Sequence, residues 1–379
     1  MLIQFHILQN YAPSNLNRDD TGAPKDAMFG GYRRGRISSQ CLKRSIRRSE
    51  AFKEAFEKDE LLGYRTRQLP DLLRKELVAL DVDPEDIDAI LRPVAKFGRE
   101  SGKKSAEEDG EEDGGKEAEV ETAVKQLIFV GRNELRPMAE KLLALYKKMG
   151  KKWVKLASRD ITKELGASAP RSVDIAMFGR MTTSAAFEDV QAAVQVAHAI
   201  STNAIAQEFD YYTAMDDLKP DSEPGADMIG DVEFNSSTYY KYFNIHWEGL
   251  KTNLGGDAKV ARKAVLALLE AAATAQPSGK QNTFAAQNLP DLILVEVSQK
   301  NLPVNYVNAF LKPASKYGET SLMDDSVAKM ADYMGRVGKT FAIETKRAFA
   351  ATQKYEFPNA NAQESLPALQ KWLAAQIAG

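Results

Sequence analysis

Leu2 to Leu8 alternates apolar and polar residues among β-formers, which predicts a strand. Tyr11 to Gly35 breaks that pattern with Pro13, Gly22, Pro24, Gly30, Gly31 and Gly35, and reads as a long loop. Ser38 or Ser39 then caps a helix running to about Phe56, with Leu42 and Ile46 four apart on its inner face. Between 60 and 165 the periodicity is helical but irregular: Leu69–Leu80, Pro84–Leu91, Val120–Val130 and Glu134–Lys148. This stretch is expected to be an inserted helical subdomain. Ser172 to Phe178 is a short apolar run, expected to be a strand, and Glu188 to Ser201 is expected to be a helix with Val190, Val194, Ala197 and Ile200 or Ser201 inward.

Residues 202–231 have few periodic apolar positions, yet hold Phe209, Tyr211, Tyr212 and Met215. They predict an extended loop or hairpin, and their aromatics predict either a small local core or a stacking wedge. Ser237–Trp247 predicts a strand, Ala258–Ala273 a helix and Leu292–Val297 a strand, and the tail reads as mostly helical, ending around Leu366 to Ile377. Without the insertions the order is β-α-β-β-α-β, the ferredoxin-like pattern shared by the RNA recognition motif (RRM). The expected class is α+β.

Composition narrows the chemistry. The 379 residues include 51 basic and 53 acidic ones, one cysteine (Cys41) and three histidines. A disulfide framework is excluded, and a Cys/His zinc site nearly so. No run is long enough for a membrane span, and Met1–Asn10 lacks the features of a secretory signal, so a soluble cytoplasmic protein is expected.

The balanced total hides two blocks. Tyr32 to Arg48 carries Arg33, Arg34, Arg36, Lys43, Arg44, Arg47 and Arg48 with no carboxylate, whereas Glu107 to Glu121 is strongly acidic and glycine-bearing, a solvated loop spanning about 105–119. On the helix after Ser38, Lys43/Arg47 and Arg44/Arg48 form adjacent i, i+4 rows. Each like-charged pair costs roughly a few tenths of a kcal/mol, which a polyanion along the face reverses. The first turn, at Ser39 and Gln40, is a natural phosphate seat. No Walker A loop, GxGxxG unit or GxSxG elbow is present; Gly335, Gly338, Lys339 and Thr340 have the wrong spacing. His198 reads as structural. Asp19, Asp20 and Asp26, near Arg18 and Lys25, read as turn-forming, or alternatively as Mg²⁺ ligands or a base for RNA cleavage.

Four blocks carry a resemblance. The first is Asn15–Leu16–Asn17–Arg18–Asp19–Asp20, Lys25 to Gly31, Arg36 to Gln40 and Leu42–Lys43–Arg44. The second is Val173–Ala176, Gly179–Arg180–Met181, Thr183–Ser184 and Ala197–Ile200. The third is Asp210–Tyr211–Tyr212–Thr213–Ala214–Met215 through Leu218. The fourth is Lys280–Gln281, Thr283–Ala286 and Asn308–Phe310. Together they resemble the CasC family, the crRNA-binding backbone subunit of the type I-E CRISPR Cascade complex.

The resemblance implies a hand. An RRM-like palm would take 1–58, 168–201 and 234–379, helical fingers 59–167 and a thumb 202–233. It implies RNA contacts at Arg18, Lys25, Ser38, Gln40, Lys43, Arg44, Arg47 and Arg180. It implies a base-displacing set of Met181, Tyr211, Tyr212, Thr213 and Met215. The family commonly has a Trp–Phe-like pair where this chain has Tyr211–Tyr212. The implied partners are crRNA, target DNA through pairing, neighbouring copies in a head-to-tail filament, and the other Cascade subunits (CasA large subunit, CasB small subunit, CasD, CasE). No cofactor or metal is implied, and no catalysis. The alternative is a backbone subunit that cuts bound target RNA with Asp19, Asp20 or Asp26.

Overall fold

The computed structural model describes residues 1–94, 97, 124, 127–166, 172–182, 184–214, 228–316 and 318–377. Its strands, in chain order, are β1 (Leu2–Ser14), β2 (Asp26–Phe29), β3 (Tyr32–Ile37), β4 (Gly63–Thr66), β5 (Ile128–Gly131), β6 (Val194–Val196), β7 (Ala199–Ser201), β8 (Glu208–Ala214), β9 (Met228–His246), β10 (Leu292–Ser298), β11 (Lys346–Ala351) and β12 (Ala360–Gln363). The chain divides into two units, one of Met1–Ala55, Val194–Glu248 and Arg262–Gly379, the other of Phe56–Ala193 and Gly249–Ala261.

The first unit is a mixed α/β body around one large sheet of order β12-β11-β10-β1-β9-β7-β3-β2. β6 and β8 also pair with β9. The pairings are antiparallel except β11 with β12. Phe5 lies opposite both Phe243 and Val295.

β1 is buried from Leu2 to Gln9 on both faces. One face carries Ile3, Phe5 and Ile7. The other carries Gln4 and His6, and its polar groups are satisfied internally. His6 Nδ1 bonds Tyr240 Oη at 2.8 Å, His6 Nε2 meets Glu296 at 3.2 Å, and Tyr306 donates to Glu296 at 3.1 Å. The Leu322–Thr340 helix closes this face, packing Val327, Met330 and Met334 with Leu8, Tyr240 and Tyr242.

The second unit has its own core, in which the Leu69–Val78, Pro84–Leu91 and Arg132–Met149 helices bury Leu73, Ile90, Met138 and Leu142. Beside them β4 pairs with β5. Among the described residues no helix is long and apolar enough to cross a membrane.

Several expectations change. Residues Val173–Phe178 form a helix, not a strand: the Asp174 carboxylate accepts the N–H groups of Gly63 (2.9 Å) and Ile175 (3.0 Å), which fixes a helical turn. An apolar run this short does not declare its type. Glu188–Ser201 is not a helix but holds β6 and β7, because Val194 and Val196 pair along β9 opposite Ile245 and Phe243. The loop expected over 11–35 holds the end of β1 and a β2–β3 hairpin, turned at Gly30 (φ 61°) and Gly31 (φ 81°), conformations that glycine adopts without steric cost. The helix after Ser38 stops at Arg47 and a second begins at Glu50. Of the helix expected over Val120–Val130, the described end is β5, and the tail carries β11 and β12 before its last helix. The acidic loop 105–119 lies outside the described residues.

Candidate nucleic-acid interface

The basic helix, Ser39–Arg47, begins at a true cap. Ser38 is extended (φ −67°, ψ 148°) and its hydroxyl accepts the N–H of Cys41 at 3.3 Å. Its own N–H goes to Asn17 Oδ1 at 2.8 Å, and the Asn17 carbonyl accepts the N–H of Lys25 at 2.8 Å. Leu42 and Ile46 are buried as their spacing requires. Ser38 is therefore a buried cap that shapes the helix end, while Gln40, Arg44 and Arg48 are exposed and Lys43 and Arg47 half-buried.

The electrostatics mark a positive neighbourhood. Burial raises the pKa of the Cys41 thiol, against the opposing pull of Lys25 and Arg44. Burial lowers that of His198, and Arg36 and Lys25 lower it further. Burial also lowers the pKa of Lys43. Lys25, Arg36 and Arg44 thus sit around the start of the helix, and His198 contacts Arg36 at 3.1 Å rather than lying in a helix.

The seven-cation block is not one ridge. On β3, Arg33 is ion-paired with Asp26, and Arg36 donates to the Asp26 carbonyl at 3.0 Å. Arg34 is wholly buried, donating to the carbonyls of Ser201 (3.1 Å), Thr202 (2.6 Å) and Phe310 (2.6 Å). The two rows on the helix also part company. Arg44 and Arg48 join Arg18 along a cleft of about 1160 Å³ that also presents Asp19, Asp20 and Glu54, whereas Lys43 and Arg47 do not line it.

The candidate acids have local tasks. Asp19 accepts from the Thr21 hydroxyl (2.8 Å), the Thr21 N–H (2.9 Å) and the Ala23 N–H (3.0 Å), bonds that hold its carboxyl below the usual range. Asp26 holds Arg33, and Asp20 is exposed. Among the described residues no group of three or more His, Cys, Asp or Glu side chains is arranged to hold a metal ion.

β8 and the outer part of β9 form a two-stranded ribbon, and every residue of β8 is exposed. Alternation puts Phe209, Tyr211 and Thr213 on one face, with Ile229 opposite Thr213, and Tyr212 on the other. Tyr212 lies over Gly230, where a Cβ would come within 2.5 Å of its hydroxyl. The two tyrosines therefore cannot act on one face together. Phe209, Tyr211 and Ile229 are each more than 60% exposed, so the aromatics are not a local core. Met215 lies outside the described residues.

In the second unit, Met181 is 95% exposed. Its neighbour Arg180, implied as an RNA contact, is buried: it pairs with Glu134 at 2.7 Å and donates to the carbonyls of Glu188 (2.9 Å) and Phe129 (3.2 Å). Its donors are spent inside the unit, and a phosphate has no access to them.

The model of the CT1975-like protein family (Cas_CT1975) matches residues 3–375. The chain belongs to this family. No curated protein sequence matches it. Among solved structures, this CT1975-like chain is similar to a chain of a CRISPR RNA-guided surveillance complex, pre-nicking, at 28% identity and TM-score 0.81, covering 100% of both chains. A chain of another CRISPR RNA-guided surveillance complex is 22% identical, with TM-score 0.62 and the same coverage, a likeness of fold.

Sequence reasoning passed over the roles of Asn15 and Asn17. Asn15 donates to the carbonyls of Gly22 (2.9 Å) and Glu233 (3.0 Å), so both asparagines shape the loop that carries Arg18. Their signal was present: asparagines beside aspartates in a loop are residues that bond to nearby backbone.

Proposed function

We propose that this chain is a non-catalytic scaffold subunit of a CRISPR RNA-guided surveillance complex of Cascade type, like CasC of type I-E. It holds crRNA by its phosphates and presents the spacer for pairing with target DNA. The observation that carries this reading is the full-length likeness to a surveillance-complex chain at 28% identity and TM-score 0.81.

The geometry supports it in three ways. Lys25 and Arg44 lie by Cys41 on a capped helix that presents Gln40 in its first turn and carries Lys43 and Arg47, a surface suited to phosphates and indifferent to base identity. The order β10-β1-β9-β7, all antiparallel, with the Ser39–Arg47 and Ala258–Thr274 helices in the crossovers, agrees with an RRM-like palm. The Leu322–Thr340 helix closes one face of that sheet, so its aromatic side chains are not open to bases and the strand must lie elsewhere. The exposed ribbon is a thumb, and its Phe209–Tyr211 face is the side that meets a displaced base. Copies polymerise head to tail on the guide beside the other Cascade subunits. The engagement of Asp19 and Asp26 in turn and ion-pair bonds favours a scaffold over an RNA-cutting subunit.

The test is purification of the assembled complex. An RNA of uniform length retained with several copies of the chain is expected. Lys43→Ala with Arg47→Ala should weaken retention for every spacer and flatten the dependence on salt. An unchanged salt slope rejects the proposed contacts. Regular cuts in a complementary RNA with Mg²⁺ would overturn the non-catalytic reading.

A further inference from the structure

We infer that Arg33 is a positioning residue for the β8–β9 ribbon, a latch between the ribbon's root and the β2–β3 hairpin, and not a phosphate contact. The inference rests on the ribbon being the working thumb of the proposed scaffold.

β8 is exposed along its whole length, so packing does not fix its direction, which must be set where the ribbon leaves the sheet. Arg33 meets that root twice and ties it to β2. Its carbonyl accepts the N–H of Ile205 at 3.1 Å. Its Nη1 donates to Gln207 Oε1, and Gln207 in turn donates to Glu233 on the returning strand. Its Nε is ion-paired with Asp26 on the neighbouring strand. One guanidinium thus links β2 to both strands of the ribbon. Asn15 adds a bond to the Glu233 carbonyl at 3.0 Å.

The next residue completes the anchorage. Arg34 points to the opposite face of β3 and clamps the carbonyls of Ser201 and Thr202, the last residues before the ribbon's approach. Asp26 also balances the charge of Arg33, and two of its three nitrogens already have acceptors. A planar fork of this kind is not replaced by an ammonium, which cannot span Asp26 and Gln207 together.

The experiment uses the full chain with Arg33→Ala, Arg33→Lys and Gln207→Ala. In the free protein, hydrogen exchange across 204–214 should accelerate about fivefold or more in all three, with β1 and β10 unchanged. On bound RNA, affinity and salt slope should stay within about twofold of wild type, while chemical probing of the RNA should show that the regularly spaced reactive bases expected of a base-displacing thumb lose their contrast. Unchanged exchange across 204–214 overturns the latch. So does a loss of affinity and salt slope in Arg33→Ala that Arg33→Lys restores, the behaviour of a phosphate contact. If the wild type shows no periodic reactivity, the thumb reading itself fails and the exchange result alone judges the latch.

Discussion

The side-chain oxygen of Asn17 accepts the backbone N–H of Ser38 at 2.8 Å. Through its own carbonyl the same residue holds Lys25, so one asparagine sets the loop against the start of the basic helix. Asn17→Ala keeps the carbonyl that holds Lys25 but removes the acceptor of the Ser38 N–H; it should cost about 1–3 kcal/mol, the penalty for leaving a partly buried donor unmade, and should weaken RNA binding several-fold by loosening the loop against the helix start. Asn17→Asp keeps the acceptor and should recover most of the stability. Thermal melts with anisotropy on a short RNA check both, and a wild-type melt for Asn17→Ala would reject the clamp.

The basic helix was legible because its signals are local. Ser38 caps it, and Leu42 and Ile46 sit where the period puts them. The paired strands at 208–214 and 228–234 were legible from aromatics in polar sequence. Other features depended on distant partners. Val190, Val194 and Ala197 fit a helical period, yet pairing with β9 decides the structure there. A run of cations does not reveal which charges are spent internally. The acceptors of Arg34 lie 167 or more positions away, and Glu134, which holds Arg180, lies 46 away. The opposite facing of Tyr211 and Tyr212 follows from strand alternation, but only once that segment is known to be a strand.

Arg180 and Glu134 form a pair in which each side chain is 1% exposed. Glu134 also accepts the N–H of Gly131 at 2.6 Å, so it caps its helix as well. Arg180→Ala leaves a buried carboxylate without its counter-charge and should destabilise the second unit by roughly 3–5 kcal/mol. The variant should lose a cooperative denaturant transition, and proteolysis should begin within Phe56–Ala193. A variant that keeps wild-type stability but loses RNA would return Arg180 to the interface.

Glu296 contributes to the acid limb of stability. Burial alone would raise its pKa. The His6 hydrogen bond and charge, with those of Arg347, outweigh burial and bring it down to about 2. The unfolded carboxyl titrates near its ordinary 4.5, so the unfolded chain takes up this proton first as pH falls. The stability is fully present above about 4.5 and is lost as pH drops toward 2. Glu296→Gln should flatten that part of the stability curve and cost roughly 3–5 kcal/mol at neutral pH, because Arg347 stays buried without its partner. Urea midpoints at pH 3, 4.5 and 7 measure it; parallel curves for the two proteins would reject the assignment.

Lys241 is the opposite case, a buried cation without a carboxylate partner among the described residues. It is 1% exposed, lies opposite Ile7 in the sheet, and its ammonium reaches the Ala272 carbonyl at 3.4 Å and the Tyr11 ring at 5.9 Å. Burial pushes its pKa down from 10.5 to about 7. Between those values the unfolded chain holds a proton that the folded chain has released, so stability rises with pH across that window. Below about pH 7 both states are charged and the folded state bears the full cost, on the order of 5 kcal/mol. Lys241→Met keeps the volume and removes the charge. Its gain over wild type should be largest at pH 6, smaller at pH 8 and nearly gone at pH 10, because the neutral amine is tolerated there. Denaturant unfolding of both proteins at these three pH values is the measurement, and a gain independent of pH would mean that Lys241 keeps its proton in the folded chain.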